Sequence, residues 1–350
     1  MKAIDTLQRS YTRKFLIKNT ASYNIFVIAS LAFILLFFIA LSISVGSSSI
    51  PLAKTFSVLF GEDVVSKEFQ IISYVRIPRT LAAVLAGCAL SMSGLILQTV
   101  LNNSLAGPSI IGVNSGAGLF TTLIIALFPA YFAFMPIAAF IGALLATLLV
   151  YFIAKTTGAS RLTIVLAGAA VSSFIGAMTD TILTVWPDTA ISRTSFVIGG
   201  LSGVTMDALR LPGILIFVSF MAAMIFSYDM NVLSLGDETA RSLGLNVARY
   251  RFLFIVLSSL FAGSAISFAG LLGFIGLIVP HASRFIVGYD NRMLVPVISL
   301  LGSVFALVCD ILARTLFAPY EVPVGIIMSF LGGPFFIFLL LNHRRRLISD

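Results

Sequence analysis

A chain of 350 residues that is 59% hydrophobic and only 10% charged, with a mean hydropathy of +1.07, departs far from the roughly 45–50% apolar and 25% charged make-up of a soluble domain. That excludes an ordinary water-soluble globule and leaves a bilayer as the solvent. The formal charge of +8 does not point to nucleic acid, because the basic residues are scattered over short connections and the two ends rather than gathered on one folded face.

A helical crossing needs about 20 mostly apolar residues, and the chain divides into ten such stretches, an all-α polytopic membrane protein. Their expected spans are 25–45, 80–100, 108–128, 133–154, 162–186, 208–227, 250–269, 271–287, 294–316 and 323–341. The first follows Lys2, Arg9, Arg13, Lys14 and Lys18. It is longer than the ~7–15-residue core of a cleaved signal and lies far from Met1, so it reads as a retained helix. Taking the basic start as cytoplasmic puts Lys155 to Arg161, Arg241 to Arg251, Arg284 to Arg292 and Arg344-Arg345-Arg346 on the same side, as ten crossings require. Both ends of the chain are then expected in the cytoplasm. The division predicts an N-terminal segment at 1–24, one transmembrane domain at 25–341 with a cytoplasmic loop at 228–249 inside it, and a tail at 342–350.

In the second span, Ala83, Gly87 and Ser91 recur at the four-residue spacing that lets helix backbones approach closely in lipid. Residues 46–75, with Lys54, Glu62, Asp63, Lys67 and Glu68, form the longest external stretch and lead to Arg76-Ile77-Pro78-Arg79. Two arginines on the outer side run against the positive-inside tendency. They read either as headgroup anchors or as groups that meet a partner. Asp180 has no opposite charge in its own helix and must find a partner elsewhere or face water.

The run Leu235 to Gly244 has acidic residues at its start, Arg241 in its last turn and a closing glycine, the pattern of a short surface helix. It reads as a helix resting on lipid or as a lever pressed by a cytoplasmic partner. The span at 271–287 is interrupted by Gly270, Gly273, Gly276 and Pro280 and is expected to break. Asp310 and Arg314 stand one helical turn apart and can mask each other's charge.

The catalytic inventory is poor. Cys88 and Cys309 fall in apolar segments, where a thiol is a small buried hydrophobe, so no disulfide or thiol site is expected. His281 and His343 lack any metal-ligand pattern, no nucleophile–His–acid arrangement is evident, and no phosphate-binding glycine loop exists. Any ATP must be bound by another chain.

Four segments together resemble the FecCD-type permease family, over residues from about 30 to 342. They are Arg76-Ile77-Pro78-Arg79-Thr80 leading to Gln98 and Asn102-Asn103-Ser104-Leu105-Ala106-Gly107-Pro108; the loop Gly236 to Gly244; Gly273-Phe274-Ile275-Gly276-Leu277-Ile278-Val279-Pro280-His281 with Arg284; and Asp310 to Arg314 followed by Glu321-Val322-Pro323-Val324-Gly325 and Gly332-Gly333-Pro334. Glu238-Thr239-Ala240 with Gly244 is similar to the coupling signature of ABC importers, with Thr239 in place of an alanine and the downstream I-x-L-P element absent.

The resemblance implies the permease fold of type II ABC importers in a bacterial cell (inner) membrane. It implies a second permease subunit, identical or different, two cytoplasmic ATPase subunits that use ATP and Mg, and an extracytoplasmic substrate-binding protein. In its terms Glu238, Thr239, Ala240 and Gly244 couple to the ATPase. Arg76, Arg79 and Arg314 receive acidic residues of the binding protein, and Asn102, Asn103, Gly107, Pro108, Gly273, Gly276, Pro280 and His281 belong to the pathway or its gate. The implied activity is alternating-access import of an iron(III)-siderophore complex, without chemistry on the cargo and without a cofactor on this chain. Haem and cobalamin are the other cargoes of the family. An ion-coupled secondary transporter with Asp180 and Asp310 as coupling carboxylates is the rival reading.

Overall fold

A computed structural model describes residues 21–46, 66–158 and 160–348. The basic residues before position 20, and Lys54, Glu62 and Asp63, lie outside the described residues. Among the described residues the chain is helical throughout, without strands. The helices are α1 (Ala21–Ser44), α2 (Lys67–Leu101), α3 (Val113–Leu127), α4 (Met135–Thr156), α5 (Arg161–Val185), α6 (Thr189–Ile198), α7 (Met206–Ile225), α8 (Ser227–Ser234), α9 (Asp237–Ser242), α10 (Val247–Ala269), α11 (Ile275–Val287), α12 (Asn291–Thr315) and α13 (Val324–Ile348).

Seven of these, α1, α2, α4, α5, α7, α10 and α12, are long and apolar enough to cross a bilayer. Three shorter apolar helices, α3, α11 and the Val324–Phe338 part of α13, fill the remaining expected positions. The third and fourth crossings open with 3-10 turns, Pro108–Ile111 and Pro129–Phe134, so α3, at 15 residues, is shorter than the apolar run that contains it, while α4 keeps 22.

The interior of the bundle is α2, α10 and α12, while α1, α5 and α7 are largely exposed. Between lipid-facing helices there is no gain in apolar burial, so close backbone approach must supply the attraction. The expected small residues do this. A Cβ at Gly87 would overlap the Gly302 carbonyl of α12, and one at Gly94 would overlap the Gly276 carbonyl of α11. Ser91 Oγ, buried in the same seam, donates 2.7 Å to Gly87 O and 3.2 Å to Ile298 O of α12. Ser93 and Ser258 join α2 to α10 through a 2.7 Å hydroxyl pair.

Three features depart from the sequence expectation. First, α2 starts at Lys67 rather than near 80, and it runs on through Pro78. Lacking an N–H, the proline cannot complete the i−4 ladder, and the chain widens into a π-helical turn over Ile72–Arg76 before continuing as α-helix.

Second, the connection after α5 carries a helix of its own, α6. Third, the break before α11 is confined to 270–274, while Gly276 and Pro280 lie inside the helix. In a membrane a non-helical segment must find partners for its backbone, and α6 with Gly199 and Gly200 just after it meets the chain at the start of the break. Leu271 N donates to Phe196 O and Gly200 N to Ala269 O, both at 2.9 Å, and Gly325 N of α13 donates to Gly199 O at 3.2 Å. Phe274, at φ 65°, caps α11 from the left-handed region, and its ring occupies the space a side chain at Gly332 would need.

Candidate functional site

Two polar clusters stand at opposite ends of the bundle. At one end Arg76, Arg79 and Arg314, all expected at an outer docking surface, are 3%, 6% and 2% exposed. Neither a free cationic patch nor a lipid anchor describes them. Arg76 donates to the carbonyls of Ile43 (2.9 Å) and Ser44 (2.6 Å) at the end of α1.

Arg79 Nε donates to Asp310 Oδ1 at 2.9 Å and its Nη1 to Glu321 Oε2 at 2.5 Å. Arg314 Nη2 stands 3.1 Å from the other Asp310 oxygen in an ionic contact, and donates 2.8 Å to Ser42 Oγ. Its Nη1 reaches Ser42 O at 3.2 Å and Val45 O at 3.1 Å.

The i, i+4 pair read from the sequence is thus present, but Asp310, itself fully buried, is shared with Arg79 of another helix. A buried carboxylate between two guanidinium groups has its desolvation met by charge and geometry together. The network ties α1, α2, α12 and the α12–α13 connection into one unit. Ser42 and the pairing of Glu321 with Arg79 have no local sequence signal, because their partners are hundreds of positions away.

At the other end the surface helix forms as expected. Gly236, at φ 105°, opens α9, and Gly244, at φ 86°, follows it. Ala240 is buried, whereas Glu238, Thr239, Arg241, Ser242, Leu243 and Gly244 are exposed. Asp237 holds the helix from behind: both its oxygens lie 2.8 Å from Arg251 Nη2 of α10, and Oδ1 lies 3.1 Å from Arg161 Nη2 of α5. Burial works against ionisation of this carboxyl, but the Arg251 hydrogen bond and charge, with Arg161 and Arg241, outweigh it and hold it below the usual carboxylate range.

The preceding helix α8 is clamped to α12. Asn231 Nδ2 donates to Asp290 Oδ1 at 2.7 Å, and Asn291 donates from N and Nδ2 to Asn231 Oδ1 at 2.8 and 2.9 Å. Arg292 lies over the Tyr228 ring at 4.6 Å.

The remaining motif residues gather around α2 and α11. Asn102 caps α2 from the left-handed region at φ 47°, and Asn103 Oδ1 accepts from Leu105 N at 2.9 Å; both are exposed. Gly107 and Pro108 lead into the 3-10 turn, with Leu277 of α11 beside Gly107. Gly276 abuts Gly94, Pro280 is buried, and Gly273 borders open space. His281 packs edge-on against Phe285 and Phe335 at 4.9 and 6.0 Å. No group of three or more His, Cys, Asp or Glu that would hold a metal occurs among the described residues. Asp180 lies on the exposed face of α5 with Ser173, Thr181 and Thr184.

A model of the FecCD transport family matches residues 34–342. The chain belongs to that family. It is 35% identical over 327 residues to the Fe(3+)-citrate import system permease protein of Bacillus subtilis, covering 93% of this chain and 97% of the relative. The hemin transport system permease protein of Yersinia pestis is 34% identical, with 90% and 96% covered. The cobalamin import system permease protein of Halobacterium salinarum is 36% identical, with 79% and 74% covered. Among solved structures, a chain of an ABC transporter described as metal-chelate type, in an inward-facing conformation, superposes with a TM-score of 0.78 at 28% identity, over 90% of this chain and 99% of that one. As a member of the family the chain is a multi-pass membrane transport protein and not an enzyme.

Proposed function

We propose that the chain is the membrane-spanning permease subunit of an ATP-binding-cassette importer that carries an iron(III) chelate of the siderophore type by alternating access. One observation carries the reading. The helix α9 is fastened at its back by Asp237 to α5 and α10, and presents Glu238, Thr239 and Gly244 outward, as a lever needs to be: rigid toward its own bundle and open toward a partner. The partner is a separate ATPase chain, two copies per transporter, which binds ATP with Mg.

Nucleotide drives transport by binding one arrangement of the bundle better than the other. The end that carries α9 is taken as cytoplasmic and the end that carries Arg79 as the side where an extracytoplasmic binding protein delivers cargo. A binding-protein carboxylate reaches Arg79 by taking the place of Glu321, whose side chain is 31% exposed against 7% for Arg79. The outward stripe of Asp180, Ser173, Thr181 and Thr184 on α5 suits a water-filled pathway shared with a second permease subunit, since a lone carboxylate facing lipid costs about 2.5–3.5 kcal/mol at mid-membrane. Siderophore is preferred over haem or cobalamin because iron chelates recur among the relatives.

Purification of the tagged chain from its native membrane tests the assembly. An ATPase subunit is expected to come with it, and to be lost on Gly244→Val while the chain itself stays in the membrane. Retention of no nucleotide-binding chain by the wild type overturns the proposal.

A further inference from the structure

Four arginines whose charge is withdrawn from solvent meet a carboxylate: Arg79 and Arg314 share Asp310, and Arg161 and Arg251 share Asp237. Arg284, near the end of α11 and half-buried, meets none among the described residues. Its Nη1 donates 2.5 Å to the amide oxygen of Gln98, a neutral group that is itself 3% exposed and held by Gly276 O at 3.1 Å. Its guanidinium lies 6.0 Å from the Tyr289 ring.

These groups line a cavity of about 300 Å³ between the ends of α2, α8, α11 and α12. Asn102, Asn103, Ser104 and Asn291 lie in its wall with Thr99, Ser234 and Leu294, and among the described residues no carboxylate lines it. A guanidinium, with its planar fork of donors, stands in a mostly polar cup of amides, hydroxyls and one phenol, open to solvent and without a counter-charge among the described residues. A withdrawn cation without an anion is unfavourable, and a guanidinium fork with amide donors is the arrangement that recognises an oxyanion.

We propose that this pocket binds a phosphate-type oxyanion, with Arg284 as the charged ligand and the Asn102 and Asn103 amides and Tyr289 hydroxyl as neutral donors. Two sources share that chemistry: free phosphate, and the headgroup of an anionic phospholipid. The position at the edge of the bundle, beside the exposed rings of Phe285 and Tyr289, is where basic pockets between membrane helices take lipid headgroups and aromatic rings settle at the interface. The site is distinct from the surface helix α9 and does not rest on the transport reading.

The test uses the full chain purified in a neutral maltoside detergent. Its thermal midpoint is measured in sodium phosphate and in sodium chloride at equal ionic strength. A second arm counts the phospholipid retained after extraction from nanodiscs of phosphatidylcholine with or without phosphatidylglycerol. Arg284→Gln removes the charge. Asn102→Asp, at an exposed position whose left-handed backbone aspartate tolerates, supplies an internal carboxylate and leaves the packing in place should Arg284→Gln fail to fold.

A phosphate-specific rise of about 2 °C at tenfold excess over the dissociation constant, lost in the variants, supports the proposal with free phosphate as ligand. Retention of phosphatidylglycerol by the wild type and its loss from the variants supports it with a lipid headgroup. Equal behaviour of wild type and folded variants in both arms overturns it.

Discussion

Arg79 and Asp310, 231 positions apart in the chain, meet through a 2.9 Å hydrogen bond inside the bundle. Asp310 Oδ1 accepts from Arg79 while Oδ2 lies in ionic contact with Arg314, so its neutralisation takes the ionic contact from Arg314 and leaves Arg79 with Glu321. Asp310→Asn is expected to destabilise the chain by about 3–5 kcal/mol. Thermal unfolding of the purified protein checks this, and an unchanged midpoint would contradict the shared-carboxylate arrangement.

The same network changes what charge reversal is expected to do. With Arg79 and Arg314 both holding Asp310, Arg79→Glu and Arg314→Glu should impair folding to a similar degree, so neither isolates docking. Glu321 does. It is the most accessible partner of Arg79, and Glu321→Gln weakens the pair without removing the hydrogen-bond acceptor. Association with an acidic-faced binding protein should then quicken at low ionic strength and return to the wild-type rate at high salt. An unaltered rate at low salt would mean that docking does not pass through Arg79.

Gly244 sits at φ 86°, and a Cβ there would meet nothing within 4 Å. Crowding within this chain is therefore not what demands glycine; the backbone conformation is, and a docked partner would add to it. Gly244→Val, β-branched and strained in the left-handed region, should abolish transport-coupled ATP hydrolysis. Gly244→Asn, which tolerates that region, should retain much of it if the partner leaves room. Normal coupling in Gly244→Val removes the lever assignment.

Much of the fold was legible because a bilayer simplifies the problem: the ten apolar stretches follow from length alone, and the small-residue spacing of Gly87 and Ser91 foretold the seam against Gly302. The surface helix was legible because its acidic start and glycine end are local signals. What escaped depends on partners distant in sequence. Pro78 gave no sign that the helix would run through it behind a π turn at Ile72–Arg76. Burial of Arg76 depends on carbonyls of α1, and the α6 backbone that completes the 270–274 break has no pattern of its own. The charge balance of Arg284, too, needed three-dimensional neighbours.

Asp237 sets a pH expectation for the loop. Its folded-state pKa lies below the ordinary value. The tether to Arg251 and Arg161 is therefore fully present above the unfolded pKa of about 3.9 and is lost as pH falls through the folded value. Amide hydrogen exchange of residues 237–244 should show constant protection between pH 7 and 5 after correction for intrinsic rates, and Asp237→Asn should lose protection already at pH 7. A wild-type loop that opens between pH 7 and 5 would mean another group holds it.

The most direct measurement of the central claim is uptake of a radioactive iron(III) chelate into proteoliposomes holding this permease, its partner ATPase and binding protein, with ATP inside and ionophores present. The account predicts uptake that persists when every ion gradient is collapsed and stops when vanadate blocks ATP hydrolysis. Uptake driven by an ion gradient through this chain alone, without ATP, would contradict it and would turn attention to Asp180 as a coupling carboxylate.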